Sequence, residues 1–86
     1  MCSYLTVRTD VDGSAKGAQG WFRVTSANVY FDHPFHATFD HTLNIDFADP
    51  ARGPAARVAV ELSADSARRL VASIVEALDA AGAAAL

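Results

Sequence analysis

Three histidines and two aspartates lie within ten consecutive residues, and these side chains could together hold a metal ion. The segment from 32 to 41 reads DHPFHATFDH, which spaces His33, His36 and His41 as His-x2-His-x4-His. Neutral imidazole is a good ligand for zinc, copper, nickel and iron. We therefore predict that the three histidines bind one transition metal ion, whose identity the residue types do not select.

The carboxylates beside these histidines add a second chemical capacity. Asp32 and Asp40 each directly precede a histidine, where a carboxylate could ligate the ion, orient an imidazole or move a proton. In a catalytic site the metal would polarise a carbonyl or activate water, as in a lyase, isomerase, cyclase or hydrolase acting on a small organic molecule. No Lys or Arg occurs between Val24 and Ala51, so the segment should attract cations.

Two metal-free interpretations stay open, and with them the question of whether the protein is an enzyme. The histidines could line an interface or pocket in a small-ligand-binding or structural homodimer. A His–Asp pair could also act as acid and base without a cofactor, because imidazole titrates near neutral pH. The histidine spacing matches neither a zinc finger nor a His-Glu-x-x-His motif.

Other candidate site residues lie outside the histidine spacing. Cys2, the sole cysteine of the chain, would be an additional ligand if the first strand lies beside the histidines. Seven of the eight aromatic residues lie between positions 21 and 47. We predict that they form a pocket for a small molecule beside the metal, lined by Trp21, Tyr30, Phe35 and Phe39.

Alternating apolar and polar residues predict the strands that would position this site. The predicted strands cover 2–9, 21–25, 26–32, 37–47 and 57–62, where 26–32 could also continue the preceding strand through a bulge. The glycine-rich segment 10–20 is typical of a hairpin loop. In the strand predicted for 37–47, His41 is in phase with Leu43 and Ile45, so it should face the apolar side and meet His33 from the preceding strand.

One helix is predicted after the strands. Ser63 is typical of a helix N-cap, apolar residues then recur at helical spacing, Gly82 is a candidate C-terminal stop, and 82–86 should form a frayed tail. This order predicts one α+β domain over 1–86, a small antiparallel sheet of four to five strands with one C-terminal helix on one face. A single helix cannot cover such a sheet, so a homodimer is expected.

Composition excludes several other classes of protein. The 86 residues carry a net charge of −3, which argues against nucleic acid as a partner. A single cysteine rules out an internal disulfide framework. We find no apolar run approaching the roughly 20 residues of a membrane span and no signal peptide, so we expect a cytoplasmic bacterial protein without membrane association.

Five segments carry the more specific motifs of the chain: MCSY at 1–4, GWF at 20–22, ANVYFDHPFHA at 27–37, HTLNIDF at 41–47 and ARGPAARVAVELSADSAR at 51–68. In these motifs the chain resembles a small family of uncharacterised actinobacterial proteins. Nearly the whole chain takes part in the resemblance. No activity is established for that family, so the resemblance implies a compact bacterial protein and no mechanism.

Overall fold

A computed structural model describes residues 5–82 and shows a four-stranded antiparallel sheet followed by one helix. The strands lie side by side in chain order and are β1 (Thr6–Gly17), β2 (Gly20–Asp32), β3 (Thr42–Ala48) and β4 (Arg57–Leu62). A 3-10 turn at Pro50–Arg52 connects β3 to β4, and α1 (Ala64–Ala81) follows β4. The predicted α+β class is confirmed, with four strands.

The first two strands form one long hairpin, and here the prediction of a loop over 10–20 is wrong. β1 stays paired with β2 as far as Gly17 opposite Gly20, which leaves two residues for the turn. Gly20 has a φ of +110°, a conformation that residues with a Cβ rarely adopt. The glycines and short polar residues have loop composition, but pairing with β2 overrides this weak local preference.

The segments predicted as strands at 21–25 and 26–32 are one continuous strand, β2. A bulge does occur, but it lies in β1, where the pairing register shifts between Asp10 and Gly13. A bulge places its extra residue in one strand of a pair, so β2 continues without a break beside it.

The strand predicted for 37–47 begins five residues later than expected, at Thr42. Residues 33–41 form a bent connection between β2 and β3, and this connection carries all three histidines. The backbone N–H groups of Phe35, His36 and Ala37 donate to the Glu61 carboxylate on β4. The alternating apolar and polar pattern of the sequence therefore extends into a connection that is not a strand. Backbone N–H groups of this connection bind the Glu61 side chain, where a strand would bind a neighbouring strand.

The two faces of the sheet differ in polarity. Leu43 pairs with Phe31 and Leu62 on the face that carries α1, as the residue parity predicted. On the other face Asn44 pairs with Tyr30 and Glu61. Glu61 binds the 33–41 connection, which therefore covers part of this polar face.

Both predicted ends of the helix are confirmed. The Ser63 hydroxyl accepts a hydrogen bond from the backbone N–H of Ser66 at 3.1 Å, and Gly82 ends the helix with a φ of +56°. α1 packs mainly against β3, and every residue of Ala64–Ala81 is at least partly exposed. Within residues 5–82 the buried apolar residues are Val24, Ala27 and Ala56, so the core is small.

Two predictions concern segments beyond this range. Cys2 and the start of the predicted first strand lie outside the described residues, and so do residues 83–86 of the predicted tail. In the part of the chain that is described, no helix has the length and apolar character needed to cross a membrane.

Candidate metal centre

His33 and His41 lie side by side where β2 ends and β3 begins. Asp32, the last residue of β2, pairs with Thr42, the first residue of β3. The two histidines directly outside this pair therefore approach each other, and their ring centroids are 4.3 Å apart with planes inclined at 34°. The structure thus brings together two of the three histidines singled out in the sequence.

Asp40 contacts both imidazoles. Its backbone carbonyl oxygen lies 3.0 Å from His33 Nδ1, and its carboxylate Oδ2 lies 2.7 Å from His41 Nδ1. A carbonyl oxygen and a carboxylate can only accept hydrogen bonds, so in each neutral ring the proton lies on Nδ1. The Nε2 atoms then keep their lone pairs. A hydrogen bond from Nδ1 to a carboxylate or carbonyl is the usual arrangement of a histidine that ligates a metal through Nε2.

The dimensions of the cluster suit a metal ion after a small rearrangement. His33, Asp40 and His41 each offer a ligand atom, and these atoms lie within 4.8 Å of one another. Tetrahedral bonds of 2.0–2.1 Å to nitrogen would place ligand atoms about 3.3 Å apart. His33 is exposed, so a small shift of its side chain can close this gap while the Asp40 carboxylate keeps its contact with His41 Nδ1.

His41 is the better anchored of the two histidines. Its side chain is 24% exposed, and its ring stacks on Phe31 at 5.7 Å between centroids with an interplanar angle of 13°. Phe31 also lines the apolar groove beneath α1, so it connects the cluster to the sheet. In the sequence, Phe31 lies two positions after Val29 and so shares its apolar face. This pattern could have identified Phe31 as a neighbour of His41.

The structure places His36 apart from this cluster. Its side chain lines a shallow depression together with Phe35, Arg57 and Glu61, and its backbone N–H donates to Glu61 Oε1 at 3.0 Å. The bent path of the connection carries His36 toward β4, whereas His33 and His41 stay at the ends of β2 and β3.

Asp32 has a local structural contact beside the cluster. Its Oδ1 accepts a hydrogen bond from the backbone N–H of His33 at 2.7 Å, which holds the chain as it leaves β2. Among the described residues, the group with ligand atoms close enough to share an ion includes Asp40 and not Asp32. The two aspartates therefore have different positions, although each precedes a histidine.

The four aromatic residues predicted to line one pocket are spread over the molecule. Trp21 is 69% exposed near the β1–β2 turn, while Phe35 and Phe39 are 96% and 54% exposed on the connection. Tyr30 Oη donates to Asp46 Oδ2 at 3.3 Å on the polar face, and burial together with the Asp46 charge raises the pKa of Tyr30. An apolar cavity of about 510 Å³ lies elsewhere, between the sheet and α1.

Glu61 holds the connection in place, and sequence reasoning missed it. Its carboxylate accepts hydrogen bonds from the backbone N–H groups of Ala37, Phe35 and His36. These donors stabilise the charged form and lower the pKa of Glu61. A single glutamate in a predicted strand does not indicate that backbone groups 24 to 26 positions earlier in the chain bind to it.

Replacing Glu61 by Gln is expected to lower the melting temperature by a few degrees near neutral pH. The folded-state pKa lies below the ordinary value of 4.5, so the carboxylate stabilises the fold fully above that value and loses this effect as the pH falls through the folded-state pKa. The difference between wild type and Glu61→Gln should therefore shrink in acid, as measured by thermal unfolding between about pH 7 and pH 3.

Glu76→Gln is the matched control, because it removes the same charge from the exposed surface of α1. This control should leave the melting temperature nearly unchanged over the whole pH range. A Glu61→Gln difference that is as large at pH 3 as at pH 7 would contradict the assigned role of the carboxylate.

A comparison with protein-family models finds a match over residues 1–86 to the model described as "Family of unknown function (DUF6295)". The chain belongs to DUF6295. No curated protein and no solved structure matches it. Membership of DUF6295 agrees with the resemblance to an uncharacterised family and assigns no activity, and the actinobacterial origin stays a prediction.

Proposed function

We propose that this chain binds one divalent transition metal ion through Nε2 of His33 and Nε2 of His41. Asp40 is the positioning residue for both rings. The observation that carries the proposal is that both Nδ1 atoms face oxygens of Asp40, one on its backbone and one on its side chain. This arrangement selects the tautomer in which both Nε2 atoms can donate an electron pair to a metal.

The charge around the cluster supports a cation as the ligand. Asp32 and Asp40 flank the two imidazoles in sequence, and the nearest basic residues along the chain are Arg23 and Arg52. Two imidazoles with centroids 4.3 Å apart would repel each other if both were protonated. A shared divalent ion replaces this repulsion with attraction for both rings.

Two protein nitrogens leave further coordination positions for water or a small molecule. An oxygen ligand at such a position would be polarised by the ion, which is what the predicted lyase, isomerase, cyclase or hydrolase chemistry requires. The exposed side of the cluster, formed by His33 and Asp40, gives such a ligand access from solvent.

A cofactor-free acid–base site is the second candidate, and one observation favours it. His41 Nδ1 and Asp40 Oδ2 are 2.7 Å apart, which is the carboxylate–imidazole contact that orients a catalytic base. The two candidates differ in their response to a chelator. Metal binding predicts a loss of stability on chelation, whereas an acid–base pair predicts none.

Elemental analysis combined with native mass spectrometry on tag-free protein tests the proposal. We expect one ion per chain after addition of Zn²⁺ to chelator-treated protein. At free Zn²⁺ about 100-fold above Kd, the free energy of unfolding should rise by about 2.7 kcal/mol. Protein that takes up none of Zn²⁺, Cu²⁺, Ni²⁺ and Fe²⁺ under reducing conditions would overturn it.

A further inference from the structure

The exposed side of α1 has the pattern of a helix that packs against another helix. Its apolar residues recur at alternating intervals of four and three, the spacing of a coiled-coil seam, at Ala67, Val71, Ile74, Leu78 and Ala81. In the structure Val71 is 62% exposed, Ile74 51% and Leu78 58%. The charged residues of α1 lie toward the opposite side of the helix, and the seam lines an open groove between α1 and the sheet through Ala67, Val71 and Ile74.

This groove is apolar on both of its sides. It has a volume of about 510 Å³ and lies between α1 and the sheet, with Val29, Phe31, Leu43, Ile45 and Leu62 on the sheet side. Arg68 is the charged residue among the described groove-lining residues. Protein interiors are close-packed, and an apolar opening of this size is wide enough to admit side chains from another element.

The dimensions of the chain point to a missing partner of substantial size. The accessible surface is 6531 Å², whereas a compact monomer of 9.1 kDa exposes about 4900 Å². The radius of gyration is 14.4 Å, against about 12 Å for a compact chain of this length. The excess surface, about 1600 Å², exceeds the roughly 800 Å² that each partner contributes to a standard interface.

We infer that a second copy of this chain fills the groove, with the two α1 helices in contact across a two-fold axis between the two sheets. The seam and the groove belong to one surface, so a two-fold axis lets each copy insert its seam into the groove of the other. The chain itself thus supplies an amphipathic helix of the kind the groove fits. This surface is separate from the ligand atoms of the metal cluster.

The charges on α1 lie away from the inferred contact. Arg69, Glu76 and Asp79 are on the side of the helix opposite the seam, so they stay in solvent when two seams pack together. Ile74 is the middle residue of the seam, so a two-fold axis that relates the two helices would pass near it.

Sedimentation velocity on the wild type and on Ile74→Asp tests this interface. We expect the wild type to be a dimer at micromolar concentration. In Ile74→Asp the dimer Kd should rise at least about thirtyfold, the effect typical of an interface hot spot. Ala72→Asp, the control, adds the same charge on the polar side of α1 and should leave the dimer intact. A monomeric wild type would overturn the inference and leave the groove open to another protein or a small ligand. A dimeric Ile74→Asp would also overturn it.

Cross-linking provides a readout that does not depend on a folded Ile74→Asp variant. In a Cys2→Ser background, Ile74→Cys places two thiols near the axis, and mild oxidation should give a disulfide-linked dimer because their Cα atoms come within the required distance. Ala72→Cys in the same background should stay largely monomeric on a non-reducing gel. Equal cross-linking of the two variants would overturn the inferred interface.

Discussion

Replacing both His33 and His41 by Gln is expected to lower the affinity for Zn²⁺ at least about hundredfold. The double substitution removes both Nε2 ligands while keeping side chains of similar size. His36→Gln should leave the affinity within about twofold, because His36 lies with Glu61 and Arg57 and outside the His33–Asp40–His41 group. Competition against a chromophoric chelator, using tag-free protein, measures the wild type and both variants on one scale.

The matched His36→Gln variant makes this result informative in both directions. If His36→Gln loses as much affinity as the double substitution, the ion is held by three histidines, as the sequence predicted. The connection must then rearrange and release the hydrogen bond between His36 N–H and Glu61. Equal affinity of all variants and the wild type would instead mean that bound Zn²⁺ lies elsewhere in the chain.

Asp40→Asn refines the same experiment. We expect a tenfold to hundredfold loss of Zn²⁺ affinity, the usual effect of removing the group that orients a metal-bound histidine. The backbone carbonyl that contacts His33 Nδ1 is unchanged by this substitution. Asp32→Asn is the control, because Asp32 also precedes a histidine but contacts its backbone N–H, and it should change the affinity by much less.

Asn44→Leu is expected to destabilise the protein by about 1–3 kcal/mol, which is the effect of leaving a buried polar group without a partner. Thr42 and Asn44 are 0% and 4% exposed, and the Thr42 hydroxyl donates to Asn44 Oδ1 at 2.7 Å. Among the described side chains, no buried nitrogen or oxygen lacks a hydrogen-bond partner. Asn44→Leu would remove the acceptor and leave the buried Thr42 hydroxyl without a hydrogen-bond partner.

A double-mutant cycle separates this effect from a change in packing. Thr42→Val removes the hydroxyl, so Thr42→Val/Asn44→Leu should be more stable than the sum of the two single effects indicates. Urea unfolding followed by circular dichroism at one fixed protein concentration provides the comparison. Additive effects in the cycle would show that the buried hydrogen bond contributes little to the start of β3.

The start of β3 matters for the metal cluster because His41 directly precedes Thr42 in the chain. Thr42 pairs with Asp32 across the strands, so the same backbone pair sets the positions of His33 and His41. If the Thr42–Asn44 hydrogen bond holds this end of β3 in place, Asn44→Leu should also weaken Zn²⁺ binding. We expect this second effect to be smaller than that of Asp40→Asn.

The sequence alone predicted the elements whose formation depends on nearby residues. β4 follows from its alternating Val58, Val60 and Leu62, and α1 follows from its apolar period with a capping residue at each end. The parity that places His41 with Leu43 on the apolar face also holds, since His41 stacks on Phe31. Period and capping are local properties of a chain, so they can be recognised without knowing its neighbours.

The tertiary structure alone decided which of the candidate residues meet. Glu61 draws residues 35–37 toward β4 through backbone hydrogen bonds, and this separates His36 from His33 and His41 although all three lie in one short segment. The long β1–β2 pairing likewise turned a loop-like composition into strand. The first set of contacts joins residues 24 to 26 positions apart, and the second joins the two strands of a hairpin. Neither composition nor periodicity records which groups become partners across such contacts.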